Sequence, residues 1–154
     1  MKIQSRLFKF LLAVFLGGAL LVGLRFFSQP SNNTVDPQTL ENHSLAALTL
    51  RGERLLVEVV NTPESTQQGL GGRASVTADG MLFLIDPPAQ AVFWMKDMLM
   101  PIDIIWLRRG KIVGIERNVQ PPSEDTPDSQ LETYMAPQLV DMVLETAPGR
   151  VSTH

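Results

Sequence analysis

The sequence predicts a mainly β domain, α+β with little helix, folded as a compact barrel-like or sandwich unit behind an N-terminal membrane anchor. Three observations carry that prediction. Short runs rich in Val, Ile, Leu and Trp recur between glycine- and proline-marked turns from position 47 onward. One stretch, Thr62-Pro63-Glu64, opens like a helix, with a hydroxyl cap, proline at the first helical position and an acid in the first turn. Ahead of both lies an apolar run with cationic flanks that nothing downstream resembles.

That run occupies positions 10–24, after Lys2, Arg6 and Lys9 and before Arg25. As a helix it is roughly 22 Å long, short of a hydrocarbon core of roughly 30 Å. Leu7, Phe8, Phe26 and Phe27 extend it if Lys9 and Arg25 snorkel to the interfaces. No small-residue cleavage pattern follows near 26–29, so residues 1–28 are expected to remain as a signal anchor, with a cleaved signal peptide as the alternative. The cationic side stays cytoplasmic. The remainder is then expected outside the inner (cytoplasmic) membrane, tethered by one pass, or secreted if the signal is cut.

Residues 29–46 are rich in Asn, Ser and Pro and read as an extended linker; His43 within it reads as a solvated surface histidine. The domain is expected over 47–154. Runs 47–50 and 55–60 flank Arg51-Gly52-Glu53 as a hairpin, and the helix at Pro63 is short because Gly69, Gly71 and Gly72 follow. Strands are expected at 81–85, ended by Asp86-Pro87-Pro88, and at 91–95. A second hairpin spans 102–107 and 111–115, and a polar loop covers 120–130. The final strand is 139–145.

Charge narrows the partners. Of thirteen basic residues, four lie at or before position 25, whereas all sixteen acidic residues follow it, so nine against sixteen leave −7 beyond the anchor. Such a domain repels nucleic acid and anionic head groups. With no cysteine in the chain, disulfides, lipid acylation, thiol nucleophiles and thiolate metal sites are excluded together.

The ordered pieces VEVVNTPESTQQGL, Arg73, GMLF, FWMK, PIDIIWL, GKIV and VLE followed by a glycine span about 55–149. In that order and spacing the chain resembles the domain of unknown function 192 (DUF192) family. The resemblance implies a mainly β fold with little helix and, often, export; it implies no activity. Three departures stand out. Gly69-Leu70-Gly71-Gly72 replaces Gly-Leu-Met, so a looser turn is expected there. Asp97 and Met98 replace asparagine and threonine, and the chain reaches His154 without the Gly-Asp strand of many members.

Candidate chemistry sits where polar residues interrupt apolar strands. Asp103 begins a strand whose alternate faces, Ile102, Ile104 and Trp106 against Asp103, Ile105 and Leu107, are both apolar. A buried carboxylate there needs a cationic partner, for which Arg73 and Lys96 are the candidates. A structural ion pair is the plainer reading. Glu58 and Glu145 interrupt strands similarly, and if neighbours they could converge with Asp103 for acid/base work or hold a hard cation. Met95, Met98 and Met100 suit core gap-filling, an adaptable contact surface or, less plainly, Cu(I). Trp94 and Trp106 read as core residues. The acidic loop 121–128 lacks EF-hand spacing, and no serine-nucleophile elbow, phosphate loop, HExxH or dinucleotide fingerprint is present.

The leading expectation is therefore a non-catalytic, membrane-tethered binding or accessory domain for a small polar envelope ligand or partner segment. Its ligand-binding residues would be Arg73, Trp94, Lys96, Asp97, Asp103 and Glu145, with no cofactor, metal or nucleic acid. Whether the chain is an enzyme stays open. One alternative is a carboxylate-dependent hydrolase of envelope glycans using Asp103 and Glu145. The other is a structural subunit of a membrane complex, with an apolar patch over 98–101.

Overall fold

The computed structural model describes residues 40–152. The expected anchor and most of the expected linker lie outside the described residues. Among those described, no helix is long and apolar enough to cross a membrane.

The first expected hairpin forms between β1 (Leu45–Leu50) and β2 (Glu53–Val60), which pair antiparallel with Leu50 opposite Glu53. Helix α1 (Pro63–Gln68) starts as its sequence dictates: Thr62 caps it and exchanges bonds with Ser65 in a capping box. The reason for a helix here is topological. β3 (Gly80–Ala89) runs parallel to β2, and parallel neighbours need a crossover rather than a tight turn; α1 and the glycine loop supply it.

That loop is pinned, not loose as expected. The Gly71 N–H donates to the Gln68 carbonyl at 3.0 Å and the Gly72 N–H to the Asp97 carbonyl at 2.8 Å, while Leu70 is buried in the core. A Cβ on Gly71 would stand 2.9 Å from the Gln68 oxygen, so the missing side chain is what allows this close approach.

β4 (Val92–Trp94), β5 (Ile102–Arg108), β6 (Lys111–Val119), β7 (Thr133–Met135) and β8 (Val140–Thr146) complete the strands, with one 3₁₀ turn at Asp128–Gln130. Six form one sheet in the order β1-β2-β3-β8-β5-β6, and β4 pairs with β7 in a separate ribbon. The barrel expectation is corrected: among the described residues β1 and β6 end the sheet without pairing to each other or to a further strand, so it stays open. The β6 edge is charged, at Glu116 and Arg117, and its ladder with β5 is broken by two register shifts, features that discourage further strand pairing.

Each sheet face carries its own apolar cluster. One gathers Val60, Met81, Phe83, Ile104, Trp106 and Val143; the other gathers Leu50, Leu55, Val57, Ile105, Leu107 and Leu144. The ribbon covers the first face, where Phe93 meets Phe83 edge-on at 4.9 Å and Trp106 at 5.6 Å. Trp106 is a core residue, as expected. Trp94 is not: strand alternation turns Phe93 inward and Trp94 outward, leaving it 44% exposed. Met95 and Met98 fill the first cluster and Met100 packs against it, so these thioethers act as core filler. Of the expected patch over 98–101, Leu99 alone is strongly exposed.

Candidate functional site

The central strand β8 sets the site. Glu145 stands opposite Met81 of β3 and Ile104 of β5, on the face that the ribbon covers. It is 4% exposed, and no described residue supplies its carboxyl with a hydrogen bond or an ion pair. Burial alone pushes its pKa up to about 8. At neutral pH the group is mostly a neutral acid, able both to donate and to accept.

Glu145 faces a cavity of about 230 Å³. Its walls are the α1 residues Gln67 and Gln68, the glycine loop, Phe83, Phe93, Trp94 and Met98. Lys96 stands at the cavity with its Nζ 5.9 Å from the Trp94 ring centroid. Its ammonium is already committed to the Asp128 carboxylate, which holds its pKa above the ordinary lysine range. A second, more open groove of about 550 Å³ shares Gln67, Gln68, Gly71, Trp94 and Lys96 and adds Glu64 and Asp97. Gly80 is required beneath this arrangement: a Cβ there would lie 2.6 Å from the Glu145 carbonyl oxygen, so only glycine lets β3 lie this close to β8.

Four expected site residues therefore share this region: Trp94, Lys96 and Glu145 at the cavity and Asp97 in the adjoining groove. Arg73 and Asp103 do not. Arg73 forks onto Glu58, with Nη1–Oε2 at 2.6 Å and Nη2–Oε1 at 3.0 Å, and also reaches Thr77 Oγ1 at 2.8 Å. His43 adds an Nδ1–Oε1 contact of 2.8 Å to the same carboxylate. It is thus a half-exposed partner of Glu58 rather than a purely solvated residue. The Arg73 fork is the main cause that lowers the Glu58 pKa to about 2, with the His43 contact adding to it.

Asp103 is fully buried on the opposite sheet face. Neither Arg73 nor Lys96 is its partner. Arg117 Nη1 donates to it, as do the backbone N–H groups of Asn118 at 2.8 Å and Gly149 at 2.9 Å. The β5–β6 hairpin places Arg117 there, and counting outward from the Arg109-Gly110 turn approaches this pairing but for the register shifts.

The expected convergence of carboxylates fails for the same reason. Asp103 lies opposite Thr146, one residue out of step with Glu145, and successive strand side chains point to opposite faces. No Asp103–Glu145 acid/base pair exists across one substrate. Glu58 shares Glu145's face, but Met81 separates them in the sheet row, roughly 10 Å of backbone at the usual strand spacing. Sequence reading missed Phe83, Phe93 and the two glutamines as cavity walls; their signal was the alternation in GMLF and the helix preceding Gly69. Among the described residues, no group of three or more His, Asp or Glu side chains is arranged to hold a metal ion.

A family model for DUF192, described as uncharacterized ACR, matches residues 46–154. The chain belongs to the DUF192 family. Two solved structures are similar at 27% identity. One, from Novosphingobium aromaticivorans DSM 12444, is described as a protein of unknown function; the match covers 68% of this chain and 73% of that one, with a TM-score of 0.55. The other, from Sinorhizobium meliloti 1021, is described as a proposed transcription regulator; the match covers 73% of this chain and 87% of that one, with a TM-score of 0.59. No curated protein matches the chain.

Proposed function

We propose that this DUF192 domain is a non-catalytic binding module, held outside the cytoplasmic membrane by its N-terminal segment, that takes a small polar ligand in the cleft above Glu145. One observation carries the reading: a buried carboxyl with no protein partner faces a cavity whose walls combine aromatic and apolar side chains with the polar ends of Thr66, Gln67, Gln68 and Lys96. With no protein partner, the carboxyl meets only solvent in the cavity, which a ligand's polar atom can replace. Small-ligand sites likewise combine apolar and aromatic walls with directed polar groups, and the polar share here suits a polar ligand. The non-catalytic assignment rests on the lone acid, since no second carboxyl lines that cavity. The tether rests on the cationic and apolar pattern of residues 2–25.

Trp94 offers the test, because its half-exposed ring stands at the cavity whereas Trp106 is buried. Titration of the full chain with amino acids, short peptides, amines, sugars and nucleotides is expected to give a saturable fluorescence change with one class. That change should vanish in Trp94→Phe, and the affinity should fall in Glu145→Ala. Saturable binding that neither substitution alters would overturn the reading, as would no response to any class together with no ligand-dependent rise in Tm.

A further inference from the structure

We propose that the Glu145 cleft selects a protonated primary alkylamine, extending into the outer groove as a diamine where the ligand is longer. The inference rests on reading the cleft as a ligand site and adds the ligand's chemistry.

Charge disfavours the opposite class. An anionic ligand would find no free cation, because the one lysine at the cavity is held by Asp128, and it would meet Glu64 and Asp97 in the adjoining groove. The −7 charge beyond the anchor likewise favours cations on approach. Shape and surface favour an ammonium. Phe83, Phe93 and Trp94 contribute aromatic surface to the same cavity, and a ring face attracts a cation within about 6 Å of its centroid. Trp94 already does so with Lys96 Nζ at 5.9 Å. About 230 Å³ is room for an alkylammonium end. A second ammonium farther along a diamine would meet Glu64 and Asp97 in the outer groove.

The proton balance is simple. An ammonium entering beside neutral Glu145 favours the carboxylate, so Glu145 releases one proton to solvent and a buried ion pair forms. Other charged groups around Glu145 are accounted for. Glu64 lies on α1, Lys96 and Asp97 follow β4, and Asp128 pairs with Lys96. Along the sheet row, Glu58 on β2 is neutralised by Arg73, and Glu116 on β6 lies opposite Ile104.

Calorimetry of the full chain with butylamine, 1,4-diaminobutane, butanol and butyrate decides the matter. Butylamine should bind at least tenfold more tightly than butanol or butyrate, and 1,4-diaminobutane more tightly still. Amine affinity should rise by up to roughly tenfold per pH unit between about pH 6 and 8, because one proton leaves. Two buffers of different ionisation enthalpy should report that proton. Glu145→Gln, nearly isosteric, should lose both the amine preference and the proton release. Trp94→Ala, at an exposed position, should weaken amine binding severalfold while the proton release persists. Amine binding unchanged in Glu145→Gln would overturn the proposal. Preferential binding of butanol or butyrate would overturn the amine class while leaving the cleft as a ligand site. Absence of binding by all four probes, together with a failed fluorescence panel, would overturn both.

Discussion

Replacing Glu145 by Gln should change the pH dependence of stability in the sense opposite to the ion-paired Glu58. Unfolded, the group titrates near 4.5; folded, burial raises it to about 8. Below about pH 4.5 it is protonated in both states and leaves stability undiminished. As pH rises above 4.5 the unfolded chain gains by ionising while the folded protein does not, so stability falls by about 1.4 kcal/mol per unit until about pH 8, then levels. By pH 7 the accumulated loss is about 3 kcal/mol, a large part of a domain's usual 5–15 kcal/mol. Glutamine keeps the shape and cannot ionise. Urea unfolding of both forms between about pH 5 and 9 should therefore show the variant gaining on the native protein with each pH unit and the difference flattening above pH 8. A difference independent of pH would refute the reasoning, because it would mean that Glu145 is ionised and satisfied in the folded protein.

On the acid side, Glu58 works in the opposite sense. Its folded pKa of about 2 lies below the unfolded value, so its contribution is present above about pH 4.5 and is lost as pH falls toward 2, about 3 kcal/mol in all. Glu58→Gln should remove much of the acid-induced loss seen by circular dichroism in that window. Asp103→Ala strips a buried acceptor from Arg117, Asn118 and Gly149 and should cost about 3–5 kcal/mol in chemical denaturation; a loss under about 1 kcal/mol would contradict its structural role. Gly80→Ala places a methyl against the Glu145 carbonyl and should lower stability by at least about 1–3 kcal/mol. Thermal unfolding of that variant checks the close β3–β8 approach on which the floor of the cleft depends.

Local chemistry made much of this domain readable in advance. Thr62-Pro63-Glu64 could begin little other than a helix, because a cap and a preset proline act within one turn of chain. The two hairpins followed from alternation around glycine turns for the same reason, and the two faces of β5 followed from a period of two. The family resemblance rested on ordered short pieces that survive without any three-dimensional knowledge. β7 went unread, since Thr133-Tyr134-Met135 is too short to display a period and becomes a strand only by pairing with β4.

What the chain alone could not decide was who stands beside whom. β8 lies between β3 and β5, far from either in sequence order, and this insertion buries Glu145 without a partner above one face. The same arrangement sends Asp103 to the other face and gives it Arg117, while Arg73 goes to Glu58. Each carboxylate carried the same signal in the sequence, an acid interrupting an apolar run. Their different fates, one neutral acid and two ion-paired carboxylates, come from desolvation and from the nearest cation, both of which depend on distances across strands. The sequence determined that this is a mainly β DUF192 domain with acids placed inside its strands. Tertiary pairing decided which one of them was left open to a cavity, because a charge is compensated through space and not along the chain.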